Sequence, residues 1–356
     1  MEFNFTEDQR LLQETVRDFL AGECTVDFVR GQWETETGRS PEFWAKLSEI
    51  GLPGLRVPEE HGGLAMDEIE LVLPMVEVGR AALAEPVVPT AAVAVPLIRD
   101  CGDAALAEQW LPKIAGGEAI VAVAVATSPL VPEAHVADLL IACAEDGIYA
   151  VPRAELQLTP QRSNDPSQRL FAVEYPPEEE FRIASGDAAA SLETFALDRG
   201  ALACAAQQIG AAEQLVAMSV QYTTERKQFG VPIGSFQAVK HQVADIQVAI
   251  EYARSHVERA AHSVARDTRT RSVDVSMAKI AAGEAALQAA STSLQVHGAL
   301  GYTWEQDLHV WMRRAWTLDL AWGETAWHRE RVADALFDDA LPAESFGFTP
   351  LSGAAA

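Results

Sequence analysis

Positive charge is scarce in this sequence: 27 Lys plus Arg stand against 52 Asp plus Glu, a formal net charge of −25. A field of that sign repels phosphate backbones and anionic lipid surfaces, which argues against nucleic acid and membrane as partners. An anionic ligand such as a nucleotide would need local positive charge or a helix N-terminus to be held. Cysteine is scarce too. Cys24, Cys101, Cys143 and Cys204 are scattered, form no CxxC pair and join no His/Cys cluster with metal-ligand spacing, so free thiols in a reducing cytosol are expected and no metal. His241, His256, His262, His297, His309 and His328 likewise lack zinc-site spacing. No apolar run is long enough to span a bilayer, and the N-terminus MEFNFTEDQRLLQETVRDFL carries acids where a signal peptide would be apolar. A cytoplasmic location is expected. No nucleophile elbow or triad pattern points to a hydrolase.

What is present is hydrophobic surface. With 356 residues, 49% of them hydrophobic, the chain can build two or three packed units around one substantial core. Thr6 begins a helix N-cap pattern, with Glu7 and Asp8 in the first turn and Leu11, Leu12, Val16, Phe19 and Leu20 at helical spacing. PEFWAKLSEI predicts a second helix from Pro41, and further helices are expected near 66–82, 86–98 and 103–115. Residues 1–117 therefore read as an N-terminal helical domain. From Glu118 to about 185, short Val- and Ile-rich runs broken by Pro, Gly and Asn-Asp predict a small β-domain. From 186 to 340 the chain returns to long Ala-rich helices, near 188–223, 234–268 and 272–297, with shorter ones near 303–316 and 322–338. These are apolar around much of their circumference, as helices packed against several neighbours in a four-helix bundle are. Residues 341–356 read as a loose tail. The expected fold is mostly α with a small central β-domain.

Two segments carry chemistry. ERKQFGVPIGSFQAVKHQVAD (225–245) places Arg226 and Lys227 at a helix end, where positive charge suits the dipole and can reach a phosphate. QVHGALGYTWEQDLHVWMRRA (295–315) offers the Gln295 amide and, through Gly298 and Gly301, close backbone approach at a helix terminus. Taken singly, Arg-Lys at a helix end is an ordinary solvated terminus and Gly298 an ordinary C-cap. Taken together, in this order and separation, they resemble signatures of the acyl-CoA dehydrogenase family, an R-x-x-F-G turn followed by F-Q and a Q-x-x-G-G-x-G-Y loop. The similarity runs over nearly the whole chain, from FTEDQ through PEEHGG to HRERVADALF. The resemblance implies that Arg226, Phe229, Gln237, Gln295 and Gly298 contact the adenosine diphosphate part of an FAD held mainly by a neighbouring subunit. Ala299 departs from the pattern, which has a second glycine there. His297 lies inside the same loop.

Family members oxidise an acyl-CoA thioester to its α,β-enoyl form, with a carboxylate removing the weakly acidic α-proton. The resemblance puts that Glu nine residues after Arg313 and immediately before a glycine. The position holds Trp322, followed by Gly323. Some members carry the base on an earlier long helix, at the position of Gly200 here, with Ala201 at the following CoA-facing arginine position. Asp198 and Glu324 are the displaced acids nearest these two positions; Glu324 also reads simply as a solvated acid in a helix's first turn. In the β-region, VATSPLVPEAHVADLL stands where the family has a Thr-Glu-Pro, Gly-Ser-Asp type segment that touches flavin and substrate.

This asymmetry resembles one subunit type of the α2β2 acyl-CoA dehydrogenases of steroid- and cholesterol-degrading bacteria, in which the other subunit carries the base. The implied partners are then a homologous subunit with the catalytic Glu, an acyl-CoA with a possible steroid side chain, and an electron-transfer flavoprotein. Two other readings stay open: an independent homo-oligomeric dehydrogenase with Glu324 or Asp198 as a displaced base, and a flavin-free structural or regulatory homologue.

Overall fold

The computed structural model describes residues 4–337, so the tail expected at 341–356 lies outside the described residues. Among the described residues, eleven α-helices and nine short strands follow one another in the order helices, strands, helices. The first group is α1 (Glu7–Glu23), α2 (Val26–Trp33), α3 (Pro41–Glu49), α4 (Glu68–Arg80), α5 (Val95–Asp100) and α6 (Ala104–Ala115). The capping logic is local. Thr6 accepts from the Gln9 backbone while the Gln9 side chain accepts from the Thr6 N–H at 2.9 Å, a capping box that starts α1. Asp67 and Glu70 do the same for α4, and Pro41 takes the first position of α3 behind a Ser40 cap.

Two elements differ from the sequence expectation. Thr25 caps a short helix, α2, in a stretch where none is expected. The helix expected over 86–98 is instead a π-helical segment, Val88–Ala94, running into α5. Pro89 and Pro96 remove two N–H donors from this stretch, which loosens the regular i to i−4 ladder.

The strands are β1 (Val121–Ala124), β2 (Val131–Pro132), β3 (Leu139–Ala144), β4 (Gly147–Pro152), β5 (Gln157–Gln161), β6 (Leu170–Glu174) and β7 (Arg182–Ala184). One sheet has the order β1-β3-β4-β7, with β1 parallel to β3 and the rest antiparallel; the other is the antiparallel set β2-β6-β5. Alternation assigns the two faces of β3. Leu139, Ile141 and Cys143 enter the main core shared with the helices, while Leu140 and Ala142 pack with Tyr149 and Val151 in a second, smaller core.

The closing helices are α7 (Gly186–Glu225), α8 (Gln237–Ala265), α9 (Arg271–His297), α10 (Leu308–Leu320) and α11 (Thr325–Phe337), with a two-residue hairpin of β8 (Lys227–Gln228) and β9 (Val231–Pro232) between α7 and α8. The two shorter closing helices are expected near 303 and 322 but begin a few residues later, α10 at Leu308 behind a 3-10 turn over Gly298–Tyr302 and α11 at Thr325. α7 meets α4 backbone to backbone. A Cβ at Gly79 would lie 2.6 Å from Gln207 Cα, and one at Gly210 would lie 2.6 Å from the Arg80 nitrogen, so both positions require glycine. Among the described residues no helix is long and apolar enough to cross a membrane.

Candidate functional site

The five residues of the two signature segments come together at one end of the bundle. Arg226 is the C-cap of α7, Phe229 stands in the β-hairpin, Gln237 opens α8, and Gln295 and Gly298 end α9. Tyr222, one turn before Arg226, stacks on His297 with ring centroids 4.3 Å apart and donates from its hydroxyl to the His297 carbonyl at 3.4 Å. That stack ties the end of α7 to the end of α9. His297 itself is buried, its Nδ1 donates to the Ser293 carbonyl at 2.7 Å, and burial lowers its pKa; its role is packing.

The five residues are all exposed, and Phe229 is 93% exposed in the left-handed region at φ 53°. Arg226 makes no ion pair among the described residues, and a Cβ at Gly298 would meet nothing within 4 Å. This is an outward-facing set: one free guanidinium, two amides, an aromatic ring and bare backbone; a groove of about 600 Å³ between α7 and α8, lined by Val216, Val220, Val239 and Val243, runs past Pro232 of the same hairpin. Such a set suits an anionic, aromatic-bearing ligand presented by another surface.

The positions where a base is expected lie elsewhere, against each other. Trp322 has φ 59° and caps the break between α10 and α11. Its indole covers Gly200 on α7; a Cβ there would lie 2.8 Å from Trp322 Cε2 and closer still to Cδ2. The turn is held from below. Lys279, fully buried, donates to the Leu318 and Asp319 carbonyls at 2.9 and 3.0 Å, satisfying the open end of α10. His328 is pushed down to about 3, first by burial and then by Lys279, so its ring is neutral. Its Nε2 donates to the Trp322 carbonyl at 3.1 Å, which leaves Nδ1 to accept from the Ser276 hydroxyl at 3.0 Å.

The two displaced acids have different surroundings. Asp198 is fully buried and accepts from Ser272 Oγ at 2.7 Å, Arg271 Nε at 3.2 Å and Arg331 Nη1 at 2.8 Å. It is engaged in holding α7, α9 and α11 together. Glu324 is exposed and lines a cavity of about 550 Å³ between the Thr127–Pro132 segment, the Arg162–Asn164 loop and α10, which adds Arg313 and Trp316.

A second, smaller chamber of about 120 Å³ adjoins it. Ser128, Leu130, Pro132, Gln168 and Ala321 line both, and Trp322 walls the smaller one. Sequence reading missed this chamber's polar residues, Glu85, Glu133 and Arg314, because nothing in their local spacing marks them. Burial raises the Glu85 carboxyl to about 7, against the opposing influence of Arg39.

Comparison with known proteins settles the ancestry. Residues 6–118 match the pattern of the acyl-CoA dehydrogenase N-terminal domain, and residues 190–337 that of the acyl-CoA dehydrogenase C-terminal domain. The acyl-CoA dehydrogenase IpdE2 of Mycobacterium tuberculosis is 33% identical over 87% of this chain and 91% of its own length. The chain belongs to the acyl-CoA dehydrogenase family. As a member of that family of oxidoreductases it shares its fold with a ChsE4-ChsE5 complex from Mycobacterium tuberculosis, 24% identical with a TM-score of 0.86 over 96% of this chain and 100% of that one. A steroid ACAD variant, also 24% identical, aligns with a TM-score of 0.82 over 94% of this acyl-CoA dehydrogenase and 99% of that chain. Both likenesses concern fold.

Proposed function

We propose that this chain is the base-less subunit of a heteromeric, FAD-dependent acyl-CoA dehydrogenase, and that it completes the flavin site of a homologous subunit. The observation that carries the reading is the pairing of Trp322 with Gly200. Both positions at which the family places its general base are filled by one indole and the space made for it. An indole has no basic lone pair at neutral pH and cannot take an α-proton.

The exposed set at the other end of the molecule supplies the second half of the reading. Its members fit the diphosphate and adenine of FAD: Arg226 for phosphate charge, the Gln237 and Gln295 amides for hydrogen bonds, Gly298 for close backbone approach and Phe229 for contact with an aromatic face. When bound, FAD supplies the hydride acceptor for α,β-dehydrogenation. The residues here position it; the base belongs to the partner. The two-protein complex among the structural neighbours and the steroid ACAD support a heteromeric assembly and a bulky steroid-derived thioester as substrate. The apolar groove between α7 and α8 supports docking of a second chain against these two helices.

The decisive experiment is to purify this chain alone and with its genomically adjacent homologue and to count FAD per protomer from the absorption spectrum. Flavin only in the complex, at one per pair of unlike subunits, is the expected result. A full equivalent of FAD on the lone chain, bleached by a thioester, overturns the proposal. It would turn attention to Glu324, which lines the larger cavity.

A further inference from the structure

A buried junction joins the N-terminal helices to the β-domain, and its charges do not resolve into pairs. Glu85, on the turn after α4, is 7% exposed; its Oε1 receives one long bond, from the Ser40 N–H at 3.4 Å, and its Oε2 has no donor. The charged and titratable groups around it are Arg39 from the loop before α3, Glu133 at the end of β2, and Arg314 from α10 with its partner Asp165. Cys24 at the end of α1 completes the set, its thiol pushed up to about 12 by burial. Arg39 is already committed. It pairs through Nη2 with Glu133, donates from Nη2 to the Ser167 carbonyl at 3.0 Å and from Nη1 to the Gly38 carbonyl, and keeps only Nε without a partner. Glu85 and Arg39 line a crevice of about 10 Å³ with Cys24, Gln32 and Ser167, room for about one water. Gln32 Oε1 in that crevice also lacks a donor, and two such acceptors fit a protonated Glu85 rather than an anion. Glu133 holds a left-handed backbone at φ 60°, tied down by Arg39 and by Arg169, whose N–H donates to Glu133 Oε1 at 2.9 Å.

We infer that this junction is a proton-operated latch: while Glu85 keeps its proton, Arg39 holds Glu133 and the β-domain stays docked, and when Glu85 ionises, Arg39 turns to it and the Thr127–Glu133 segment is released. The crevice is too small to hydrate a second carboxylate, so an ionised Glu85 must either draw Arg39 or open the junction to water. Without Arg39, Glu133 loses a contact that holds its left-handed backbone. The residues just before it, Thr127 to Pro132, line the larger cavity, so the latch sets how firmly that wall is held. The direction follows from burial. Burial raises the Glu85 carboxyl from 4.5 to about 7, and Glu133 is pushed the same way against the pull of Arg39. In the open junction Glu85 meets water and titrates near 4.5 again. The closed form is therefore firmest below about pH 4.5, loosens as pH rises to about 7, and changes no further above. The latch depends neither on the missing base nor on a shared flavin, so it stands or falls separately from the proposed function.

The test is amide hydrogen exchange on the full chain at pH 5 and pH 8, with rates corrected for intrinsic exchange. The amides of Glu133 and Val136, bonded to the Arg169 and Glu133 carbonyls, and of Arg169 report the junction, and those in the middle of α9 report global unfolding. From pH 5 to pH 8 the opening constant at the junction is expected to rise on the order of 50-fold, as a carboxyl displaced from 4.5 to about 7 requires. At pH 8 the junction amides should exchange on the order of tenfold or more ahead of α9, as a local opening does. Glu85→Gln keeps the shape but cannot ionise, and should lose most of the rise. Should that variant fail to fold, alkylation of Cys24, which shares the crevice, decides in its place: its rate, divided by that of the unfolded chain, should rise in wild type as the junction amides do. Junction amides that exchange only together with α9, an opening constant that is the same at both pH values, an undiminished rise in Glu85→Gln, or a Cys24 rate that does not follow the amides would each overturn the latch.

Discussion

Gly200 and Trp322 fit each other as space and filler: a methyl group on Gly200 would lie 2.8 Å from indole Cε2 and overlap the atoms beside it. The pair links the middle of α7 to the break before α11, and neither residue alone explains the other. This complementarity can be measured. Gly200→Ala should destabilise the protein by about 1–3 kcal/mol, the range for overpacking a core. Trp322→Ala, at a half-buried ring, should cost about 2–4 kcal/mol. In the double variant the added methyl occupies vacated space in a helix interior, where Ala is favoured over Gly by about 1 kcal/mol. The two costs should therefore fail to add, with a coupling of at least about 1 kcal/mol in urea unfolding. Simple additivity would mean that the two side chains do not share the site.

Glu85 predicts a specific pH dependence. Its carboxyl is raised from 4.5 to about 7, so the folded chain keeps a proton that the unfolded chain has released. Stability from this group falls as pH rises from about 4.5 to about 7 and is flat above. Integrated over that window the loss is about 3 kcal/mol. Glu85→Gln cannot titrate, so unfolding free energies measured at pH 5 and pH 8 should drop less for the variant than for wild type by roughly that amount. A difference that does not change with pH would show Glu85 ionised throughout.

Arg226 is exposed and makes no ion pair among the described residues, so its removal should be silent for the lone chain. Arg226→Ala should leave the melting temperature within about 1 °C, consistent with surface changes staying inside ±0.5 kcal/mol. In the complex with the homologous subunit, the same variant should weaken FAD retention by on the order of tenfold, the contribution of a charge-assisted phosphate contact. Equal flavin content in dialysed wild-type and variant complexes would remove Arg226 from the flavin site.

Gly210 tests the closest helix crossing. Its Cβ would enter the α4 backbone at Val76 and Arg80, and backbone cannot move aside as a side chain can. Gly210→Ala should cost at least about 2 kcal/mol despite the better helix propensity of alanine. Gly22, with nothing within 4 Å of its Cβ position, is the control: Gly22→Ala should stabilise α1 by a few tenths to about 1 kcal/mol. Thermal denaturation of the two variants side by side distinguishes crowding from propensity.

Much of this was legible before the fold was known, for local reasons. The helix cap at Thr6, the helix start at Pro41, the short apolar runs of the β-domain and the Arg226 and Gln295 segments are written in neighbouring residues, because capping, strand-forming runs and signature motifs are short-range. The absence of a carboxylate at 322 and 200 is likewise a fact of the sequence. Tertiary structure alone decided that these two positions touch, that Asp198 is held by Arg271, Arg331 and Ser272 while Glu324 faces a cavity, and that Glu85 and Arg314 share a chamber. Those relations join residues 122, 133 and 229 positions apart, and no local pattern encodes which distant partner a buried charge or an empty Cα will meet: 200 to 322, 198 to 331 and 85 to 314.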